Sequence, residues 1–133
     1  MIAGGAEGIS LTNAEIVNAS LGAGRVLTSI DAQNGRLEID NLYADSFSAS
    51  GDSRVDFKAA GDISLTNSYV RSFTGTGDSQ MYFSTRKGGV TITGGTEVTS
   101  EVGYSGLAAI YFKNNDKVIN MVALTAKVSF YNC

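Results

Sequence analysis

Histidine, proline and tryptophan are absent from this chain of 133 residues, and its one cysteine is Cys133. Without histidine the chain lacks the commonest general base and metal ligand near neutral pH, and a histidine-dependent triad is excluded. A lone cysteine excludes an internal disulfide framework and any multi-cysteine metal site. Such a terminal thiol is either incidental or, in an oxidising compartment, the partner of an intermolecular disulfide. No run of about 18 apolar residues occurs, so no helical membrane span is expected. The opening MIAGGAEGIS has neither the basic nor the apolar region of a signal peptide, so a secreted form would be a processed chain or a fragment. Charge of one sign is also scarce. The net charge is −3 with the two signs interspersed, and the missing basic stripe argues against a nucleic-acid partner.

What remains is a chain rich in short alternating runs. Hydrophobic residues make up 43% and charged residues 17%, enough apolar material for the core of a single domain over 1–133. Helical periodicity is poor, and the 16 glycines interrupt most candidate windows. Ile9-Ser-Leu11, Leu37-Glu-Ile39, Ile63-Ser-Leu65 and Val90-Thr-Ile92 each alternate apolar and polar residues between Gly, Asn, Asp and Ser, which predicts an all-β chain.

These runs repeat. ISLTN occurs at Ile9 and again at Ile63, 54 positions later, with Leu37 and Val90 opening related copies 28 and 27 positions beyond. SGDSRVDF (50–57) returns as TGDSQMYF (76–83) after 26 positions. The same period aligns Ile30, Phe57, Phe83 and Phe112 in one column and Thr28, Val55, Met81 and Ile110 in another. It also sets Tyr43-x-Asp45-x-Phe47 against Tyr69-x-Arg71-x-Phe73, with Glu15-x-Val17-x-Ala19 as the looser first copy. A repeat of this length with several strands and no helix marks a unit that cannot bury its apolar face alone. The expectation is a parallel β-helix, or β-solenoid, of about five coils with a repeat of 26 to 28 residues, in which equivalent side chains stack. Asn13, Asn41, Asn67 and Gly94 form a column of residues that tolerate left-handed corners. Proline would delete ladder hydrogen bonds, and there is none. The competing fold is a β-sandwich with coincidental repeats.

Four groups of residues are functional candidates. Asp52 and Asp78 occupy equivalent GDS corners. Stacked carboxylates suit calcium, but the other copies lack the aspartate, so both read as turn residues. Ser10, Ser64 and Thr91, with Thr12, Thr66 and Thr93, form hydroxyl columns that Glu38 and Asp40 interrupt, as ordinary solvent-facing positions do. Asp45 and Arg71 are equivalent across one coil and read as a surface ion pair. Tyr43, Tyr69, Phe47 and Phe73 form ladders that either cover a wall of the core or face a ligand, as stacking platforms for sugar rings. The last segment, 117–126, is more apolar than the other coils. Val118, Met121, Val122 and Leu124, together with Cys133, are the expected surface for assembly with another copy or with flanking repeats of a longer chain.

The runs GDISLTNS (61–68), GRLEIDN (35–41) and GGVTITGG (88–95) resemble the repeats of filamentous-haemagglutinin-type exoproteins. Those are large bacterial surface adhesins built as right-handed parallel β-helices. The resemblance covers roughly residues 8 to 100 and implies a structural, adhesive module that is secreted or displayed on a cell surface, without catalysis and without a cofactor. The family's amino-terminal secretion domain has no counterpart here, and no functional residue transfers. A carbohydrate-binding module, or a phage-type spike fragment with an aromatic wall, is the alternative, and a glycan-active enzyme is a third class.

Overall fold

Polar side chains at every second position leave one face of each run apolar, and parallel stacking of those faces is what the chain achieves. The computed structural model describes residues 2–4, 8–114 and 127–132. In chain order the strands are β1 (Ile2–Gly4), β2 (Gly8–Ser20), β3 (Val26–Ala32), β4 (Arg36–Ser50), β5 (Ser53–Ala59) and β6 (Ile63–Thr66). They continue with β7 (Tyr69–Thr76), β8 (Ser79–Thr85), β9 (Val90–Thr93), β10 (Glu97–Ser105), β11 (Ala108–Asn114) and β12 (Lys127–Asn132). Among the described residues there is no helix, and every strand pairing is parallel.

The pairings define three walls. β2, β4, β6 and β9 stack through their Leu11/Ile39/Leu65/Ile92 column to form the first wall. The second halves of β2 and β4 continue into β7, β10 and β12 as the second wall. β1, β3, β5, β8 and β11 form the third wall. The molecule is thus a β-solenoid of about four turns, one fewer than the length suggested. Among the described residues, β1 is the one strand of the coil before β2.

The corner between the first and second walls is made by the asparagine column. Asn13, Asn41 and Asn67 have φ of 54°, 58° and 49°, and Gly94 follows at 69°. Asparagine accepts this left-handed conformation because its short amide can bond locally. Here it bonds along the stack, with Asn41 Nδ2 donating to Asn13 Oδ1 at 2.7 Å. At the corner leading into the third wall the chain demands glycine. Gly77 has φ of 132°, and a Cβ there would lie 2.6 Å from the carbonyl oxygen of Gly51 in the coil below.

All the sequence columns hold in register. Ile30, Phe57, Phe83 and Phe112 are successive Cα partners, and so are Thr28, Val55, Met81 and Ile110. Phe57 and Phe83 stack at 5.0 Å between ring centroids, and Phe83 and Phe112 at 5.2 Å. The ladder also starts earlier than the repeats suggested, since Ile2 is the register partner of Ile30.

The core is not uniformly apolar. Where the second and third walls meet, the buried side chains are Ser46, Ser53, Ser72, Ser79 and Ser100. The Ser53 hydroxyl donates to the carbonyl of Ser46 (3.0 Å), Ser72 to that of Ser53 (3.1 Å), Ser79 to that of Ser72 (2.7 Å) and Ser100 to that of Ser79 (2.9 Å). The Ser46 hydroxyl accepts from that of Ser53 at 3.0 Å, so each of these five hydroxyls has a partner, which removes the penalty of about 1–3 kcal/mol for an orphaned one. The small side chains let the two walls approach closely at this seam.

Candidate functional site

On the second wall, residues of one parity point inward and the others outward. Leu42, Ala44, Ser46 and Ser48 are buried, whereas Tyr43, Asp45 and Phe47 lie on the outer face. Tyr69, Arg71 and Phe73 sit directly above them in register. The wall-covering alternative for these aromatics is thereby corrected. The inner face is already filled by Leu42, Ala44 and Val70, so the rings stand outside the core.

Each outer column stacks with its neighbour one coil away. Tyr43 and Tyr69 are 5.3 Å apart between centroids with planes 12° apart, and Phe47 and Phe73 are 5.2 Å apart at 3°. Between them Arg71 grips Asp45 with two parallel hydrogen bonds of 3.0 and 2.9 Å. The Arg71 guanidinium also lies 5.4 Å from the Phe73 ring centroid. The hydrogen bond that Arg71 donates to Asp45 raises the Arg71 pKa above its ordinary value, although burial opposes it. Burial raises the Tyr69 pKa as well, with Arg71 acting the other way, so the phenol stays neutral at physiological pH.

Tyr43 is 44% exposed. It borders a shallow trough of about 380 Å³ that runs along the asparagine corner, lined by Asn13, Asn41, Asn67, Tyr43 and Tyr69 among others. Chemically the trough offers two aromatic faces beside a row of amide groups. That combination suits a ring with an apolar face and hydroxyls at its edge.

The other sequence candidates divide as their local roles require. Asp52 Oδ1 accepts the backbone N–H of Asp78 at 3.0 Å, and Asp78 Oδ1 accepts that of Leu107 at 3.1 Å. Both are turn residues that tie one corner to the next. Among the described residues no group of three His, Cys, Asp or Glu side chains is placed to hold a metal ion. The hydroxyl columns of the first wall face outward, with Thr66 and Thr93 3.3 Å apart. Val118, Met121, Val122, Leu124 and Cys133 lie outside the described residues.

Two arrangements were not anticipated. One is the serine seam. The other is a basic depression on the third wall, where Lys58, Arg86 and Lys113 gather although they are far apart in sequence. Their register was available, since Lys58 and Lys113 flank Ser84 in the strand columns.

No protein-family model, curated protein or solved structure matches this chain.

Proposed function

We propose that the chain is a non-enzymatic structural and adhesive β-solenoid module of a secreted or surface-exposed microbial protein, whose coils continue onto another copy or onto flanking repeats. The observation that carries this reading is the state of the first coil. Among the described residues β2 is the outermost strand of its walls, thirteen residues long, and Ile9, Leu11, Ala14 and Ile16 are only partly buried on it. Apolar surface left in water costs about 25 cal/mol per Å², and an unpaired edge offers ready backbone partners to another strand. Neither proline nor an inward-pointing lysine guards β2. Head-to-tail stacking of such ends is an open-ended contact that yields filaments.

Light scattering across a wide concentration range tests the proposal. The mass should rise with concentration, and Leu11→Lys with Ile16→Lys should suppress that rise while circular dichroism remains β-type. A strict monomer at the highest concentration overturns self-association and leaves only flanking repeats as neighbours.

The outward direction of Tyr43 and Tyr69 beside the asparagine trough favours a second reading, in which this wall holds a neutral saccharide. Binding on a glycan array that is lost on Tyr43→Ala or Tyr69→Ala supports it. Array binding that survives both substitutions removes the role from this wall.

A further inference from the structure

The chain carries net negative charge, and the second wall shares it, with Glu15, Asp45, Glu97 and Glu101 against Arg71 and against Lys127, the register partner of Glu97. The third wall is different. Its depression of about 560 Å³ is lined by Lys58, Arg86 and Lys113, with Asp31 the lone carboxylate, and by Gln33 and Ser84 among the neutral groups. Neither Lys58 nor Lys113 forms an ion pair with a carboxylate among the described residues. Three cations converging on one concavity of an acidic chain will attract an anion.

The order of groups narrows the class of anion. Along one outer column Asp31, Lys58, Ser84 and Lys113 are successive register partners. The two ammonium groups therefore start from backbone positions two coil steps apart, roughly 9.6 Å at the ~4.8 Å spacing of paired strands. Between them stands a hydroxyl, and beyond Lys58 stands a carboxylate that would repel a uniformly charged polymer. Two residues back along the same faces, Tyr82 and Tyr111 stack at 4.7 Å. The Lys113 ammonium lies 5.1 Å from the Tyr82 centroid, and the Arg54 guanidinium lies 4.1 Å from it. These contacts restrain Lys113 and Tyr82 before any ligand arrives, which lowers the ordering cost of binding. Arg86 donates a hydrogen bond to the Gln33 carbonyl, which holds the corner of the depression in place.

From this geometry we propose that the third wall binds an anionic oligosaccharide that presents an acid group to it on every second sugar. The acid groups meet Lys58 and Lys113, the intervening sugar places hydroxyls at Ser84 and Gln33, and the tyrosine pair borders the chain of rings. The site lies on a different wall from Tyr43 and Tyr69 and does not depend on either reading under the proposed function.

Calorimetric titration with three hexasaccharides tests it: hyaluronan, with carboxylates on alternate sugars; κ-carrageenan, with sulfates on alternate sugars; and chitohexaose, which is neutral. At least one of the two charged oligomers should bind, and its affinity should fall as salt is raised. Preference for one of them identifies the acid group as carboxylate or sulfate. Lys58→Gln with Lys113→Gln should weaken binding at least tenfold, and Tyr43→Ala should leave it unchanged. Both lysines are exposed, so an unaltered melting temperature should accompany the loss. The proposal is overturned if neither charged oligomer binds, if chitohexaose binds equally well, or if the double lysine variant binds like the parent. Inorganic sulfate competing at the same affinity as the oligomer overturns the saccharide assignment.

Discussion

Removing the ring of Phe83 is the most informative perturbation of the core. Phe83 is 0% exposed and stacks between Phe57 at 5.0 Å and Phe112 at 5.2 Å. Phe→Ala in a packed interior costs about 3–5 kcal/mol, from lost transfer energy and the cavity that remains. Two stacked neighbours add about 0.5–1.5 kcal/mol per aromatic pair beyond area burial, which places this site in the upper half of that range. Relaxation is restricted as well, because the flanking rings are held by in-register backbone pairing on both sides. Phe83→Ala should therefore lower the unfolding free energy by about 4–5 kcal/mol in a denaturant titration followed by circular dichroism. Phe112→Ala should cost less, since Phe112 is only partly buried. A loss below about 1 kcal/mol for Phe83→Ala would be too small for a fully buried ring, and would refute the stacked register.

Three further outcomes follow from the corners, the seam and the outer wall. At the corner, Asn41→Gly should be nearly neutral because Gly94 already fills the same column, whereas Asn41→Val should cost at least about 1–2 kcal/mol for a left-handed β-branched residue; equal melting of the two variants contradicts this. In the seam, Ser72→Ala should cost about 0.5–1.5 kcal/mol for the lost hydrogen bonds. Ser72→Val should cost more, because Ser72 is fully buried beside Ser53 and Ser79 and has no room for the extra methyls. A stabilising valine would mean the seam is loosely packed. On the outer wall, the Tyr69 phenol is raised above its ordinary 10.0. Its folded state favours the neutral form, so the contribution is complete below about pH 10 and is lost as pH rises through the raised value. The absorbance difference between parent and Tyr69→Phe should show a phenol titrating above 10.0, and a midpoint at or below that value contradicts the burial argument.

The columns were legible in the sequence for a specific reason. Parallel, in-register stacking sets each residue on its equivalent one coil away, so period and register are the same quantity. Ile30, Phe57, Phe83 and Phe112 could be aligned by counting, and so could the corner from Asn13 to Gly94. The direction of the second wall's aromatics was harder to see, because Tyr and Phe suit either face. The deciding signal was parity: Asp45 and Arg71 share the face of Tyr43 and Phe47, and an ion pair seeks water more than a ring does. The seam escaped notice because serine reads as a turn or surface residue. Yet Ser46 and Ser72, like Ser53 and Ser79, recur at 26 positions on the inward parity of their strands. The basic depression was the least legible feature. Lys58 and Lys113 lie in different coils, Arg86 lies in a corner, and only folding brings them to one concavity.

Disulfide trapping tests the stacked solenoid most directly. In a Cys133→Ser background, Glu38→Cys with Ser64→Cys places two thiols on register partners of adjacent coils of the first wall, as does Ser64→Cys with Thr91→Cys. Partners on neighbouring strands fall within the Cα separation of about 4.4–6.8 Å that a disulfide spans. Glu38→Cys with Thr91→Cys is two coil steps apart, roughly 9.6 Å, and should not close. The account predicts rapid intramolecular oxidation of the first two pairs and none of the third. Failure of both adjacent pairs, or closure of the distant one, would contradict the β-solenoid.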